Sequence, residues 1–332
     1  MEFHPVLQAG PFAQTVATPE FVAQRLFIER GPLLKSLEDT VRPFRFTVAR
    51  VSDGAELSGD RVAVMFAAAV LEHLAAYNQQ TQSLDLMTID EAIATISETM
   101  LKRELAFRFE GMFSPVRPAS FAQIAFMKLL LAKDEKLLFG IGPTGTGKTH
   151  LAIAAGINML AEERINHLVI TRPHVLLEGE VVTATTRQET QYDEQFKAIE
   201  DALETLVGYD AFERLAQHHK IEITPLGQLR GRTFNKALII VDDAQNLTKR
   251  KMRMVVTRLG QGSRMVLTGD PSQVDLRSDE PSGLPHILNL VQGTDLAAVF
   301  KFERSEIIRN PVVARLENLY AQEEGGRPSL AA

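Results

Sequence analysis

From about residue 120 onward, short apolar runs alternate with longer amphipathic stretches. Lys136–Ile141, His167–Thr171, Leu238–Val241, Met265–Thr268 and Ala298–Phe302 are the runs, each four to six residues long. Runs of that length with little polar alternation predict strands buried on both faces. Helical stretches between them, such as Thr149–Ala161, predict crossovers that cover those faces. Ile221–Thr224 reads as an extra strand or a hairpin. The pattern predicts an α/β fold, a parallel sheet with helices on both faces.

The N-terminal third has a different rhythm. Residues up to about 20 show no clear period and predict a loose arm. Phe44–Arg50 alternates as a half-buried strand does, Ser52-Asp53-Gly54 is turn chemistry, and Ala55–Ser58 reads as a return strand. Asp60 is placed as the N-cap of a helix running to Tyr77, and Thr88–Phe109 reads as another, with Asp90 and Glu91 in its first turn. The expected organisation is a small α+β domain over 1–112, a linker at 113–119 marked by Pro115 and Pro118, a large domain over 120–322, and a disordered tail at 323–332 containing Gly325-Gly326.

Composition narrows the chemistry. The 332 residues contain no cysteine, which removes disulfides, Cys-ligated zinc, Fe–S clusters and thiol catalysis, and fits a reducing cytoplasm. The net charge of −6 argues against coating nucleic acid in bulk, though not against a local basic groove. Met1–Gly10 carries Glu2 and Pro5 and has no apolar core of a signal peptide. The longest apolar stretch, Val62–Ala76, is interrupted by Glu72 and His73, so it reads as an amphipathic helix and no membrane partner is expected. Most of the 18 phenylalanines lie in apolar runs, which offers no base-stacking platform.

The most specific chemistry lies between the first buried strand and its helix. Gly142-Pro143-Thr144-Gly145-Thr146-Gly147-Lys148-Thr149 fits G-x-x-x-x-G-K-[ST] at every fixed position. The glycines let the backbone curl so that successive N–H groups cradle phosphate oxygens, and the helix N-terminus adds its positive end. Lys148 would reach the β- and γ-phosphates, and the Thr149 hydroxyl would ligate Mg²⁺. The expected ligands are ATP and Mg²⁺.

Leu238–Val241 ends in Asp242-Asp243, as a metal-holding strand does. Asp242 is assigned to Mg²⁺ alongside Thr149, and Asp243 to orienting or deprotonating the attacking water. Gly269-Asp270 and Gln273 follow the next strand, where a γ-phosphate sensor sits in sheet-based ATPases; a plain turn is the equal alternative. Lys249-Arg250-Lys251 and Arg253 open a helix against its dipole, a feature of either a phosphate-binding surface or a solvated face.

These segments resemble the PhoH family of P-loop ATPases, which are similar to the motor core of superfamily-1 helicases. The resemblance is carried by Gly140–Thr149, Thr171-Arg172-Pro173, Pro225-Leu226, Arg230–Asn235, Asp242–Asn246, Thr257–Gly260 and Thr268–Asp270 with Gln273 and Asp275. It implies a P-loop NTPase fold of RecA-like type. It also implies that Gln123 contacts adenine and that Thr171 and Arg172 link the nucleotide site to a nucleic-acid strand. Arg230, Arg232 and Arg309 become candidates for γ-phosphate or arginine-finger contacts, made within the chain or across a ring of subunits, with a surface ion pair as the equal alternative for each. The expected partners are RNA and an RNA-processing nuclease. Few residues follow the motor core, so translocation would require a homo-oligomer.

Two departures bear on activity. The family usually carries Asp-Glu-Ala-Gln, whereas this chain has Asp242-Asp243-Ala244-Gln245. One methylene withdraws the second carboxylate by about 1–1.5 Å, and misplacement on that scale costs on the order of 10²-fold in rate. After Thr-Arg-Pro the family has a Gly/Pro-rich turn, replaced here by Glu178-Gly179-Glu180 and the polar run Thr183–Gln191. The N-terminal domain resembles a KH-like module, but its candidate clamp, Gly31-Pro32-Leu33-Leu34, lacks the second glycine of G-x-x-G. A packing or oligomer-contact role is the other reading. Two functions follow: an ATPase that couples hydrolysis to RNA binding or remodelling, or a nucleotide-dependent interaction module with little turnover.

Overall fold

The computed structural model describes residues 12–28, 31–52, 54–77, 86–101, 107, 112–132, 137–173, 187–276 and 280–308. It divides into two units: residues 1–108 with 115–128, and 109–114 with 129–332. The chain passes between the units three times, after residues 108, 114 and 128, and only the second passage lies in the 113–119 segment. Helix α5 (Phe121–Leu131), expected in the large domain, belongs to the first unit as far as Lys128.

The first unit is built on a three-stranded antiparallel sheet, β1 (Phe12–Ala17), β2 (Phe46–Val51) and β3 (Gly54–Gly59), in the order β1-β3-β2. Helices α1 (Glu20–Phe27), α2 (Pro32–Thr40), α3 (Arg61–Tyr77) and α4 (Leu86–Thr99) complete it with most of α5. The expected loose arm is β1, paired to β3 from Phe12 opposite Gly59 to Ala17 opposite Gly54. Its alternation is real, but only Val16 is buried, so the apolar signal in sequence is thin. The helix expected over Thr88–Phe109 ends at Thr99, and Phe107 instead pairs with Val116. Asp60 does open α3: its carbonyl accepts the Val64 N–H, while its carboxylate accepts the Arg45 N–H at 2.9 Å and ties the start of β2 to the helix.

The core of this unit is aliphatic and aromatic, with Leu26, Leu33, Leu37, Leu57, Phe66 and Leu71 among its enclosed side chains. Phe66 meets Phe121 edge to face, ring centroids 5.0 Å apart. Gly31 has φ of 49° and an added Cβ would collide with the Leu26 carbonyl oxygen. Gly31 and Pro32 thus make a tight helix start that delivers Leu33 into the core, a packing role for the segment read as a clamp.

The second unit holds six parallel strands, β4 (Leu137–Ile141), β5 (His167–Thr171), β6 (Ile221–Ile223), β7 (Ala237–Val241), β8 (Arg264–Gly269) and β9 (Ala297–Lys301), in the order β6-β5-β7-β8-β4-β9. The connecting helices are α6 (Lys148–Ala161), α7 (Arg187–Val207), α8 (Tyr209–Gln217), α9 (Lys249–Val256) and α10 (Leu284–Val291). Strand alternation sorts side chains onto two faces. Phe139, Val169, Ile239, Val241, Met265 and Leu267 pack with Met252 and Val255 of α9 and Leu284, Ile287 and Val291 of α10. Leu168 and Leu238 point the other way, onto α6. There Gly156 allows close approach, since a Cβ would lie 2.6 Å from Leu168 Cδ1. The central strands are buried on both faces, which explains their continuous apolar runs. Ile221–Ile223 resolves as a parallel edge strand beside β5, not a hairpin. No described helix is long and apolar enough to cross a membrane.

Candidate functional site

Strand β4 ends at Ile141, α6 begins at Lys148, and the Gly142–Gly147 loop joins them. Gly142, Gly145 and Gly147 have φ of 141°, 87° and 83°, values that favour glycine and give the loop its curl. At Gly142 a side chain is also excluded by space, because its Cβ would come within 2.5 Å of the Phe302 carbonyl oxygen. The Gly142 N–H donates to Gly269 O at 3.1 Å, and the Thr144 N–H to Asp270 Oδ2 at 3.2 Å, so both ends of the first turn are tied to β8 and the turn after it. The Thr146 hydroxyl donates to Pro143 O at 3.0 Å. Lys148 is buried and its ammonium donates to Gly142 O at 2.7 Å, Pro143 O at 2.6 Å and Thr146 Oγ1 at 3.2 Å. The cation is held inside the loop, where a phosphate oxygen could replace those carbonyls.

The parallel register brings the carboxylates to the same end of the sheet. Asp242 follows the last residue of β7, and its N–H donates to Thr171 O at 2.9 Å. Its Oδ1 accepts the Thr149 hydroxyl at 2.6 Å and the Thr268 hydroxyl at 2.8 Å. Burial pushes the Asp242 carboxyl above its ordinary range, the charge of Asp243 pushes the same way, and the two hydroxyls and Arg172 oppose the rise. A carboxylate so placed gains most from a cation. Among the described residues no cluster of three or more Asp, Glu, His or Cys could hold a metal alone. One carboxylate and one hydroxyl with substrate oxygens is the donor set Mg²⁺ uses, and Thr149 and Asp242 fit it.

Asp243 adopts φ of 49° and forms an ion pair with Arg172. Gln245 bridges outward from it: its Nε2 donates to Asp243 Oδ1 at 3.3 Å, and its Oε1 accepts the Asp270 N–H at 3.1 Å. Asp270 Oδ1 is held by the Ser272 hydroxyl at 2.6 Å and N–H at 3.0 Å. Gln273 Oε1 accepts the Thr144 hydroxyl at 2.6 Å. One connected network therefore runs from Arg172 through Asp243, Gln245 and Asp270 to Thr144.

The fold gathers Lys148, Thr149, Asp242, Asp243 and Gln273. Thr268 and Gln245 were not singled out for a role; their signal was position, one at the end of the strand beside β4 and one at the fourth place of the Asp-Asp-Ala-Gln segment. Arg232 is not brought to the loop by its own chain. It forms a bidentate ion pair with Glu222, lies over the Phe234 ring at 4.5 Å, and lines an open cleft of 440 Å³ with His167 and His219. His167 and Asn235 mark that cleft as the starting end of β5 and β7, whereas the loop and Asp242 lie beyond strand ends. The Arg232 bond holds the Glu222 carboxyl below its ordinary range. Gln123 lies buried in the first unit, its Oε1 accepting the Ala119 N–H at 2.8 Å. Lys249, Arg250, Lys251 and Arg253 are exposed on α9, which Thr248 caps. Arg309 falls outside the described residues.

A strand, a glycine-curled loop holding a buried lysine, a helix-start threonine and a strand-end aspartate on a parallel sheet define a P-loop NTPase. The pattern of the PhoH-like protein family matches residues 115–321. The chain belongs to that family. It is 34% identical over 223 residues to the PhoH-like protein of Bacillus subtilis, spanning 67% of this chain and 69% of the relative. It is 33% identical over 277 residues to the PhoH-like protein of Synechocystis, spanning 81% and 83%. Among solved structures it is similar to the Pif1 helicase from Candida albicans, at 15% identity and a TM-score of 0.34, over 63% of this chain and 44% of that one.

Proposed function

We propose that this chain binds ATP with Mg²⁺, hydrolyses it, and couples hydrolysis to RNA binding or remodelling as a cytoplasmic homo-oligomer. The observation that carries the hydrolytic reading is the convergence of Thr149 and Thr268 on one oxygen of Asp242, beside a buried Lys148. When bound, Mg²⁺ would draw charge from the phosphates. Lys148 would neutralise the β- and γ-phosphate oxygens, and the loop N–H groups would orient them. The water oxygen bonds to the γ-phosphorus, the bond to the β–γ bridging oxygen breaks with its electron pair leaving on ADP, and Asp243 accepts the proton the water releases. The exposed cations of α9 supply a surface suited to RNA phosphates.

A second reading has its own observation. Asp243 is engaged by Arg172, which favours a nucleotide-dependent module with little turnover that recruits an RNA-processing partner. Steady-state ATP turnover with and without single-stranded RNA, with Lys148→Ala as blank, separates the two. Turnover that rises with RNA supports the coupled ATPase. Binding of ATP at blank-level turnover in both conditions supports the module.

A further inference from the structure

We infer that Arg172 is a latch on Asp243, and that hydrolysis requires a phosphate oxygen to draw the guanidinium away. The inference rests on the reading of Asp243 as the group that receives the water's proton. Arg172 follows Thr171, the last residue of β5, which is registered with Val241 of the neighbouring β7, so the parallel pairing brings Arg172 beside the Asp242-Asp243 turn, where it pairs with Asp243. Their side chains are 33% and 27% exposed. A carboxylate paired with a guanidinium is turned toward that partner instead of toward a water, so its oxygen is not free to receive the water's proton.

Three features make this pair a latch more than a fixed strut. Its partial exposure keeps it weak, since ion pairs near the surface hold by a factor of about five or less. A planar guanidinium binds phosphate oxygens bidentately as readily as it binds a carboxylate, so phosphate is the chemistry that competes. Asp243 also sits at φ of 49°, a region sparsely populated by residues other than glycine, so its backbone is held in place by its surroundings. Those surroundings include the Gln245 amide, which contacts both Asp243 and the Asp270 N–H, while Asp270 Oδ2 accepts the Thr144 N–H. Movement at Asp243 is therefore two hydrogen-bonded residues away from the phosphate loop.

The competing phosphate has two sources, the γ-phosphate of bound nucleotide and the backbone of a polynucleotide. ATP turnover by the full chain is measured for the parent, Arg172→Gln and Arg172→Lys, with ATP alone and with poly(U) added, against the Lys148→Ala blank. The expected result is a kcat for Arg172→Gln raised about fivefold with the KM for ATP unchanged, and parent-like kcat for Arg172→Lys, which restores a cation. If poly(U) raises the parent but not Arg172→Gln, the backbone is the releasing phosphate. If poly(U) changes neither while Arg172→Gln stays raised, the nucleotide's own phosphate releases the latch. A parent above the blank with Arg172→Gln unchanged or slower, at an unaltered Tm, overturns the latch alone; so does an equal rise in Arg172→Lys. Parent and Arg172→Gln both at the blank overturn the latch together with the hydrolytic reading.

Discussion

The Thr144 hydroxyl donates a 2.6 Å hydrogen bond to Gln273 Oε1 across 129 positions of sequence. The same threonine's N–H is held by Asp270. Two side chains from the turn after β8 thus grip one exposed residue of the phosphate loop, so a change at either end is transmitted by a single contact. This arrangement suits a group that reports the state of the γ-phosphate better than one that binds the nucleotide base.

Removing the contact separates sensing from binding. Gln273→Ala is expected to lower kcat about tenfold, the upper end of what one neutral hydrogen bond contributes, while the Kd for ATP stays within about threefold. Equilibrium titration with a fluorescent ATP analogue beside a turnover assay reads both. Parallel losses in Kd and kcat would mean that Gln273 simply binds ATP.

Gly142 tests whether the loop's conformation is set by fold or by ligand. Its φ of 141° leaves no room for alanine, whose Cβ would lie 2.5 Å from the Phe302 carbonyl oxygen. Gly142→Ala should destabilise the protein without nucleotide by about 1–3 kcal/mol, visible as a lower Tm. An unchanged Tm would mean that the loop reshapes freely.

Legibility in the sequence followed how local each determinant is. Strands β4, β5, β7 and β8 were readable because a parallel sheet covered on both faces demands continuous apolar runs, and the loop because phosphate binding demands glycines at fixed spacing. Strand β1 was not, since its single buried residue, Val16, leaves the alternation without an apolar signal. The helix expected over 88–109 ran past its observed end at Thr99 because the following residues still mix apolar and charged positions as an amphipathic helix does, and the Phe107–Val116 bridge is a non-local contact that spacing does not show. Within the site, residue types pointed to Lys148, Thr149 and Asp242, which the fold places in one phosphate-loop region. The Arg172–Asp243 pair and the commitment of Arg232 to Glu222 depend on strand order, which spacing does not encode.

Burial makes the charge of Asp242 costly in the fold. Its folded pKa is raised above the ordinary 3.8 by burial, so the proton-bound form is favoured in the fold. That contribution is complete below 3.8 and disappears as pH rises through the raised value. Asp242→Asn keeps an oxygen to accept from Thr149 and Thr268 but carries no charge. At neutral pH it should be more stable than the parent without nucleotide by on the order of 1 kcal/mol, about 2–4 °C in Tm, and the gain should shrink toward acid pH. The variant should gain no further stability from ATP with Mg²⁺. Thermal melts across pH 4–8 check this, and a variant less stable at neutral pH would show that the charge is already compensated in the fold.

Asp243 carries the departure from the family's usual glutamate, and the structure supplies a reason for the shorter side chain. At φ of 49° aspartate is among the residues that best tolerate the left-handed region, while a longer side chain gains nothing there from local hydrogen bonding. Asp243→Glu therefore exchanges backbone ease for reach. It should lower the Tm by about 2–4 °C, the equivalent of roughly 1 kcal/mol, while raising kcat toward the 10²-fold that a 1 Å misplacement can cost. Asp243→Asn keeps the backbone preference and removes the proton acceptor, so its Tm should match the parent and its kcat should fall at least about 100-fold at unchanged Kd for ATP. Equal kcat in the Asp and Glu forms would show that reach does not limit the reaction, and an Asn form as fast as the parent would remove Asp243 from the chemistry.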